Sequence, residues 1–132
     1  MVLALPAQDG RGHINNAAFK SSFFMKAVLI DTTVVTLGIA VFVDCTALSS
    51  VLVPTTVTAM GSSCFQGCAS LMTIQLPSSL TYLSDFLFQL SGLASIVIPT
   101  TVTKVCFSTP FSCQVFILVI ILSIWKKQLD YT

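Results

Sequence analysis

The sequence predicts a solenoid, a stack of short coils built from one repeated unit, and three observations predict it. A block of 21 residues occurs twice almost intact, as Leu37 to Val57 (LGIAVFVDCTALSSVLVPTTV) and Met60 to Leu80 (MGSSCFQGCASLMTIQLPSSL). Phe42 and Phe65, Cys45 and Cys68, Leu48 and Leu71, and Pro54 and Pro77 are all 23 residues apart, and a fixed period of this size is the mark of a repeat architecture. The outline of the block recurs five times in all. The composition also fits a stack: there are 10 Phe, no Glu and only 8% charged residues, so the straight-chain charged residues that sustain long helices are scarce.

The elements follow in chain order. Leu3 to Pro6, LALP, reads as the tail of a strand from an earlier coil. Residues 1–13 are therefore the remnant of a coil plus a loop. Residues 14–104 hold four repeats. In the first, Phe19 and Met25 precede Phe42 and Leu48 by 23, Val28 and Ile30 precede Val51 and Val53, and Asp31 stands where proline is expected. In the fourth, Phe88 keeps the step from Phe65, but Leu93, Ile96, Ile98 and Pro99 arrive one residue early. That coil is 22 residues long, with a deletion near Leu90–Ser91. Residues 105–125 form either a degenerate last repeat or a membrane segment, and 126–132 a polar tail.

Within each unit a segment of the form Leu-x-x-Val-x-Val-Pro alternates apolar and variable positions, the period of a strand. Strands are expected at Ala27–Ile30, Ser50–Val53, Thr73–Leu76 and Ser95–Ile98. Proline ends each strand because it donates no amide hydrogen, and the hydroxyl pair after it suits a tight turn. Two apolar positions three apart, such as Val57 and Met60 or Leu80 and Leu83, then turn the chain inward. The stretch carrying Phe42, Phe65 or Phe88 is expected to curl as a short 3₁₀ or helical turn with the ring plugging the coil. One coil cannot cover its own apolar side chains, so coils stack, and like residues form ladders: Phe on Phe, Leu on Leu, Cys on Cys.

The pattern in MGSSCFQGCASLMTIQLPSSL, with its Phe65–Cys68–Leu71–Pro77 spacing, resembles the BspA-type leucine-rich repeat, although Cys64 stands where that family has alanine. The resemblance covers about residues 14–113. It implies a right-handed leucine-rich-repeat solenoid with a concave parallel sheet on one side and short strands on the other. It also implies a binding role toward proteins or surfaces at the outside of the cell, with no catalytic residues and no cofactor to carry over. The N-terminus, MVLALPAQDG, lacks the basic start and long apolar run of a secretory signal, so location stays unknown.

A net charge of +1 with scattered cations excludes a nucleic-acid stripe. Five cysteines leave two readings: a ladder of buried thiols, or a bridge from Cys45 to Cys68 in an oxidising compartment. A zinc site around Cys64 and Cys68 lacks a second ligand pair. Catalysis needs a base beside a nucleophile. The single histidine, His13, lies near Asp9 and Arg11 in the loop DGRGH, which is read as an ordinary exposed connection. Gly10 and Gly12 have no following Gly-Lys-Ser/Thr and form no phosphate loop.

In a solenoid of this type the outward strand positions form one continuous surface. Here they are Ala27, Leu29, Ser50, Leu52, Thr73, Gln75, Ser95 and Val97, continued by Leu118 and Ile120. The row is neutral and partly apolar, and such a row marks an interaction surface. A protein ligand is expected on it. The other function class is a membrane-anchored display protein. Val105 to Trp125 carries no charge and is followed by Lys126 and Lys127, the order found at a membrane interface. Its dense apolar core, Val115 to Trp125, is shorter than the ~20 residues a spanning helix needs, and Cys113, Phe116, Val119 and Ile121 keep the repeat register. A last strand near Leu118–Ile121 is therefore preferred.

Overall fold

The alternating segments form parallel strands because each coil places the next a full turn further along the stack. Residues 2–93 and 96–106 are described in the computed structural model. Strands β1 (Val2–Leu5), β3 (Ala27–Ile30) and β5 (Ser50–Leu52) make one parallel sheet in the order β1-β3-β5. On another side of the coil, β2 (His13–Ile14), β4 (Thr36–Leu37) and β6 (Ala59–Met60) make a second, and β7 (Tyr82–Leu83) pairs with β8 (Lys104–Val105). Ala27 lies beside Ser50, Val28 beside Val51, Thr36 beside Ala59 and Leu37 beside Met60. Like positions of successive units are therefore neighbours. Val2 to Leu5 pairs with Ala27 to Ile30, which places the LALP segment in the sheet as the preceding strand.

The interior is one apolar column. Val28, Ile30, Leu48, Val51, Val53, Leu71, Leu76 and Ile96 are buried from the strand side, and Val57, Met60, Leu80, Leu83 and Val102 from the returning side. No polar or charged residue is buried among the described residues. The phenylalanines form the expected stack. Ring centroids of Phe19 and Phe42, Phe42 and Phe65, and Phe65 and Phe88 are 5.9, 5.3 and 5.6 Å apart, with interplanar angles of 10–13°. Phe42, Phe65 and Phe88 are buried. Phe19, expected to be buried with them, is only half-buried, because a ring at the end of a column is covered on one side.

The phenylalanine stretch curls by a route the residue types did not announce. It is a run of i→i+3 turns, with Lys20 N–H on Ala17 C=O, Val43 N–H on Ala40 C=O and Gln66 N–H on Ser63 C=O, in place of the expected 3₁₀ or helical turn. The reason is a pair of left-handed residues in every coil. Ala17, Ala40, Ser63 and Phe86 have φ of 54–61°, and Ser21, Asp44, Gly67 and Leu90 have φ of 56–75°. Both series step by 23. A left-handed residue interrupts a right-handed helix and here turns alternate N–H groups along the stack. Ala17, Phe19 and Ser21 donate to Ile39, Val41 and Val43, Ala40, Phe42 and Asp44 to Ser62, Cys64 and Gln66, and Ser63, Phe65 and Gly67 to Asp85, Leu87 and Gln89. Each coil is thus tied to the next by three main-chain bonds without any strand.

A non-glycine residue at positive φ carries strain of order 1 kcal/mol. Ala40→Gly is therefore expected to stabilise the fold by about 0.5 kcal/mol, after the glycine's larger unfolded-state entropy is subtracted. Urea unfolding followed by far-UV circular dichroism reads the shift, and a lower midpoint would contradict it.

Two of the four expected strands are not formed as ladders. Residues 73–76 and 96–98 are extended but are not strand-paired, whereas Ala27–Ile30 and Ser50–Leu52 are. Ala94 and Ser95 lie outside the described residues. The 23-residue step holds through Leu90 and fails after it. There Gly92 comes so close to the Ala69 carbonyl that a Cβ at Gly92 would collide with it, and Gly92 N–H reaches back to Cys68 C=O at 3.2 Å. The shorter coil cuts its corner. Side-chain burial survives such a cut, with Leu76 and Ile96 buried and Gln75 and Val97 exposed. A hydrogen-bond ladder does not survive it, since a ladder needs neighbouring backbones in step along their whole length.

The segment 105–125 is described only at its start. Val105 pairs with Leu83, and Cys106 N–H donates to Leu83 C=O at 2.8 Å. The alternatives of a last coil or a membrane segment, and the strand expected at Leu118–Ile121, lie outside the described residues. No helix among the described residues is long and apolar enough to cross a membrane.

Candidate protein-binding surface

The outward face of the β1-β3-β5 sheet is set by the same alternation that fills the core. In β3, Val28 and Ile30 point in while Leu29 is 42% exposed. In β5, Val51 is buried between Ser50 and Leu52, the latter 57% exposed. Ala27 is half-buried, and Ser50, Thr73 and Gln75 are exposed. Val97 is 85% exposed. Ser95, Leu118 and Ile120 lie outside the described residues. Pairing of Ala27 with Ser50 and of Leu29 with Leu52 brings those four side chains into two adjacent rows. Ala4, exposed on β1 beside Leu29, extends the second row.

One further apolar side chain belongs to the face and was missed. Met72 is 59% exposed, directly after the buried Leu71 and in register with Lys26 and Ser49, both exposed. The signal was available: in each unit two residues, not one, separate the leucine from the first inward strand position. The face carries no carboxylate and no histidine. It offers Leu29, Leu52, Met72 and Val97 as separated apolar contacts, with Ser50, Thr73 and Gln75 between them as donors and acceptors.

The loop DGRGH is closed on itself. The Asp9 carboxylate accepts the N–H groups of Arg11 at 2.9 Å and His13 at 3.0 Å, and Gln8 N–H donates to His13 C=O at 2.8 Å. Partial desolvation works to raise the Asp9 pKa, but the N–H bonds from His13 and Arg11 outweigh it and hold it below 3.8. Gly10 and Gly12, at φ of 66° and 89°, make the reversal. His13 has one ring nitrogen 3.9 Å from Asp9 and the other against the Thr36 hydroxyl. These contacts account for the loop's polar groups as turn closure.

Cys45, Cys64 and Cys68 are buried free thiols. The bridge from Cys45 to Cys68 is not made. Each sulfur instead donates to the phenylalanine carbonyl one coil back, Cys45 to Phe19 at 3.1 Å and Cys68 to Phe42 at 3.2 Å. Burial pushes the Cys68 thiol up to about 12 and the Cys64 thiol higher still, so both stay protonated. Among the described residues no group of three or more potential ligands could hold a metal ion.

The profile of the BspA type leucine-rich repeat region matches residues 12–124 in six copies. Among solved structures, the chain is similar to a leucine-rich cell surface protein from Faecalibacterium prausnitzii, with 26% identity, a TM-score of 0.71, and coverage of 89% of this chain and 34% of that one. It is similar to the leucine-rich repeat protein of T. pallidum, at 26% identity and TM-score 0.74, covering 81% of this chain and 51% of that one. A leucine-rich repeat protein from Bacteroides ovatus gives 27% identity and TM-score 0.72, covering 80% and 29%. The chain thus spans 29–51% of the length of these relatives. No match is found among curated proteins.

Proposed function

Since the chain belongs to the BspA-type leucine-rich repeat family, we propose that it is a non-catalytic repeat scaffold that binds a protein through the outward face of its main sheet. The observation that carries this reading is the row of Leu29, Leu52, Met72 and Val97, 42–85% exposed on positions the repeat presents in register. Protein interfaces are built from such apolar contacts set among neutral hydrogen-bonding groups. The similarity to a cell surface protein from F. prausnitzii supports a role at a surface. A catalytic reading has little to stand on, because the one histidine is engaged in closing its own loop.

Leu52→Asp combined with Gln75→Lys tests the assignment. Both side chains are exposed, so the thermal midpoint is expected to stay within error of wild type. Protein partners captured by the wild-type chain are expected to be lost. Partners that tolerate both changes would move the site elsewhere, to the variable turns on the far side of the coil.

A further inference from the structure

We propose that the turn Ser22–Met25 is a preformed tip that docks the chain on an anionic lipid bilayer. Met25 N–H donates to Ser22 C=O at 3.3 Å, which makes Phe23 and Phe24 the two central residues of a β-turn. They are 56% and 86% exposed. Met25 is buried and fixes the turn to the core. The same turn recurs in the next two coils, closed by Leu48 N–H on Cys45 C=O and Leu71 N–H on Cys68 C=O. There the central pairs are Thr46-Ala47 and Ala69-Ser70, so the repeat needs nothing aromatic at this place. Thr46 and Ala69 are themselves exposed within the stack. The exposure of Phe23 is therefore a property of the position and not of the end of the column.

The charges around the tip match a bilayer. Lys20 and Lys26 bracket it and are both exposed, and residues 14–30 contain no Asp or Glu. The nearest carboxylates are turned to other partners. Asp9 holds its own loop, Asp31 accepts Thr33 N–H at 2.8 Å, and Asp44 reaches toward Gly67. A convex apolar tip between two cations suits a soft surface. The rings enter the boundary between headgroups and acyl chains while the ammonium groups stay at the lipid phosphates. A folded protein partner would instead have to supply a pocket for both rings. Because the turn is already closed, little ordering is needed on docking.

The test is co-flotation of the full chain with vesicles of phosphatidylcholine alone or mixed with phosphatidylserine. The wild type is expected to float with the mixed vesicles. Phe23→Thr/Phe24→Ala, which installs the turn of the next coil and keeps the fold, is expected to lower the bound fraction roughly tenfold. Lys20→Gln/Lys26→Gln is expected to remove the preference for phosphatidylserine. Leu52→Asp/Gln75→Lys is expected to float like wild type, which separates this site from the sheet face. A Phe23/Phe24 variant that floats unchanged would place any lipid binding elsewhere and overturn the proposal. So would a wild-type chain that stays off both vesicles, including one that uses Phe24 to hold a protein.

Discussion

Phe65→Ala is expected to cost about 3–5 kcal/mol, the range for truncating a large core side chain. The ring is fully buried and lies between Phe42 at 5.3 Å and Phe88 at 5.6 Å. Its removal breaks two ring contacts and leaves a cavity at mid-stack that neighbouring coils cannot fill, because each coil is already held by main-chain bonds on both sides. Phe65 N–H itself donates to Leu87 C=O, and Phe42 N–H to Cys64 C=O. The loss should propagate, since a coil is supported only by its neighbours. Phe19→Ala is the internal comparison. That ring is half-buried and stacks on Phe42 alone, so its cost should be about half as large. Urea unfolding of the two variants checks both the size and the order. Equal costs would show that position in the column does not matter, and an unchanged Phe65→Ala midpoint would remove the column from the account of stability.

Gly61→Ala is expected to cost about 3 kcal/mol through overpacking, although it adds only a methyl group. A Cβ on Gly61 would lie 2.5 Å from both the carbonyl carbon and oxygen of Gly38 and 2.6 Å from Ile39 N. All three are backbone atoms of the preceding coil, so no side chain can move aside. The bond from Gly61 N–H to Leu37 C=O at 2.9 Å holds the two coils at that spacing. Gly38 repeats the arrangement one coil earlier, where a Cβ would meet Asn16 N and Ile14 O at 2.7 and 2.9 Å. Gly10→Ala separates this effect from simple conformational strain. Nothing lies within 4 Å of a Cβ there, but φ is 66°, so about 1 kcal/mol is expected. Thermal melts of Gly61→Ala and Gly10→Ala should differ accordingly. A Gly61→Ala protein as stable as wild type would mean that the coils can separate freely at this point.

Much of the architecture was legible because a repeat writes the same instruction several times. The steps from Phe42 to Phe65 and from Cys45 to Cys68 identified which residues would lie against each other, and the phenylalanine stack and the thiol-to-carbonyl contacts stand on those steps. Inward and outward strand positions were readable for the same reason, down to exposed Leu29 and Leu52 and buried Val51. The left-handed residues were not readable. Ala40, Ser63 and Phe86 share no side-chain property that favours positive φ, unlike Gly67 in the companion series. Their conformation is imposed by the N–H bonds they make to the next coil. Met72 was missed because strict alternation was assumed from the leucine onward.

The sequence by itself determined the period, the column of rings, the inward and outward faces and the place where the period breaks. These depend on side-chain type at fixed spacing, and spacing is written in the chain. Only the tertiary structure decided how the backbone groups are satisfied. The curl became two left-handed residues and three bonds per coil, Cys45 and Cys68 became thiol donors to carbonyls, and the shortened fourth coil kept its burial while losing its ladder. Backbone hydrogen bonds depend on how closely one coil lies on the next. That distance is a property of the stack, and no single unit of the sequence contains it.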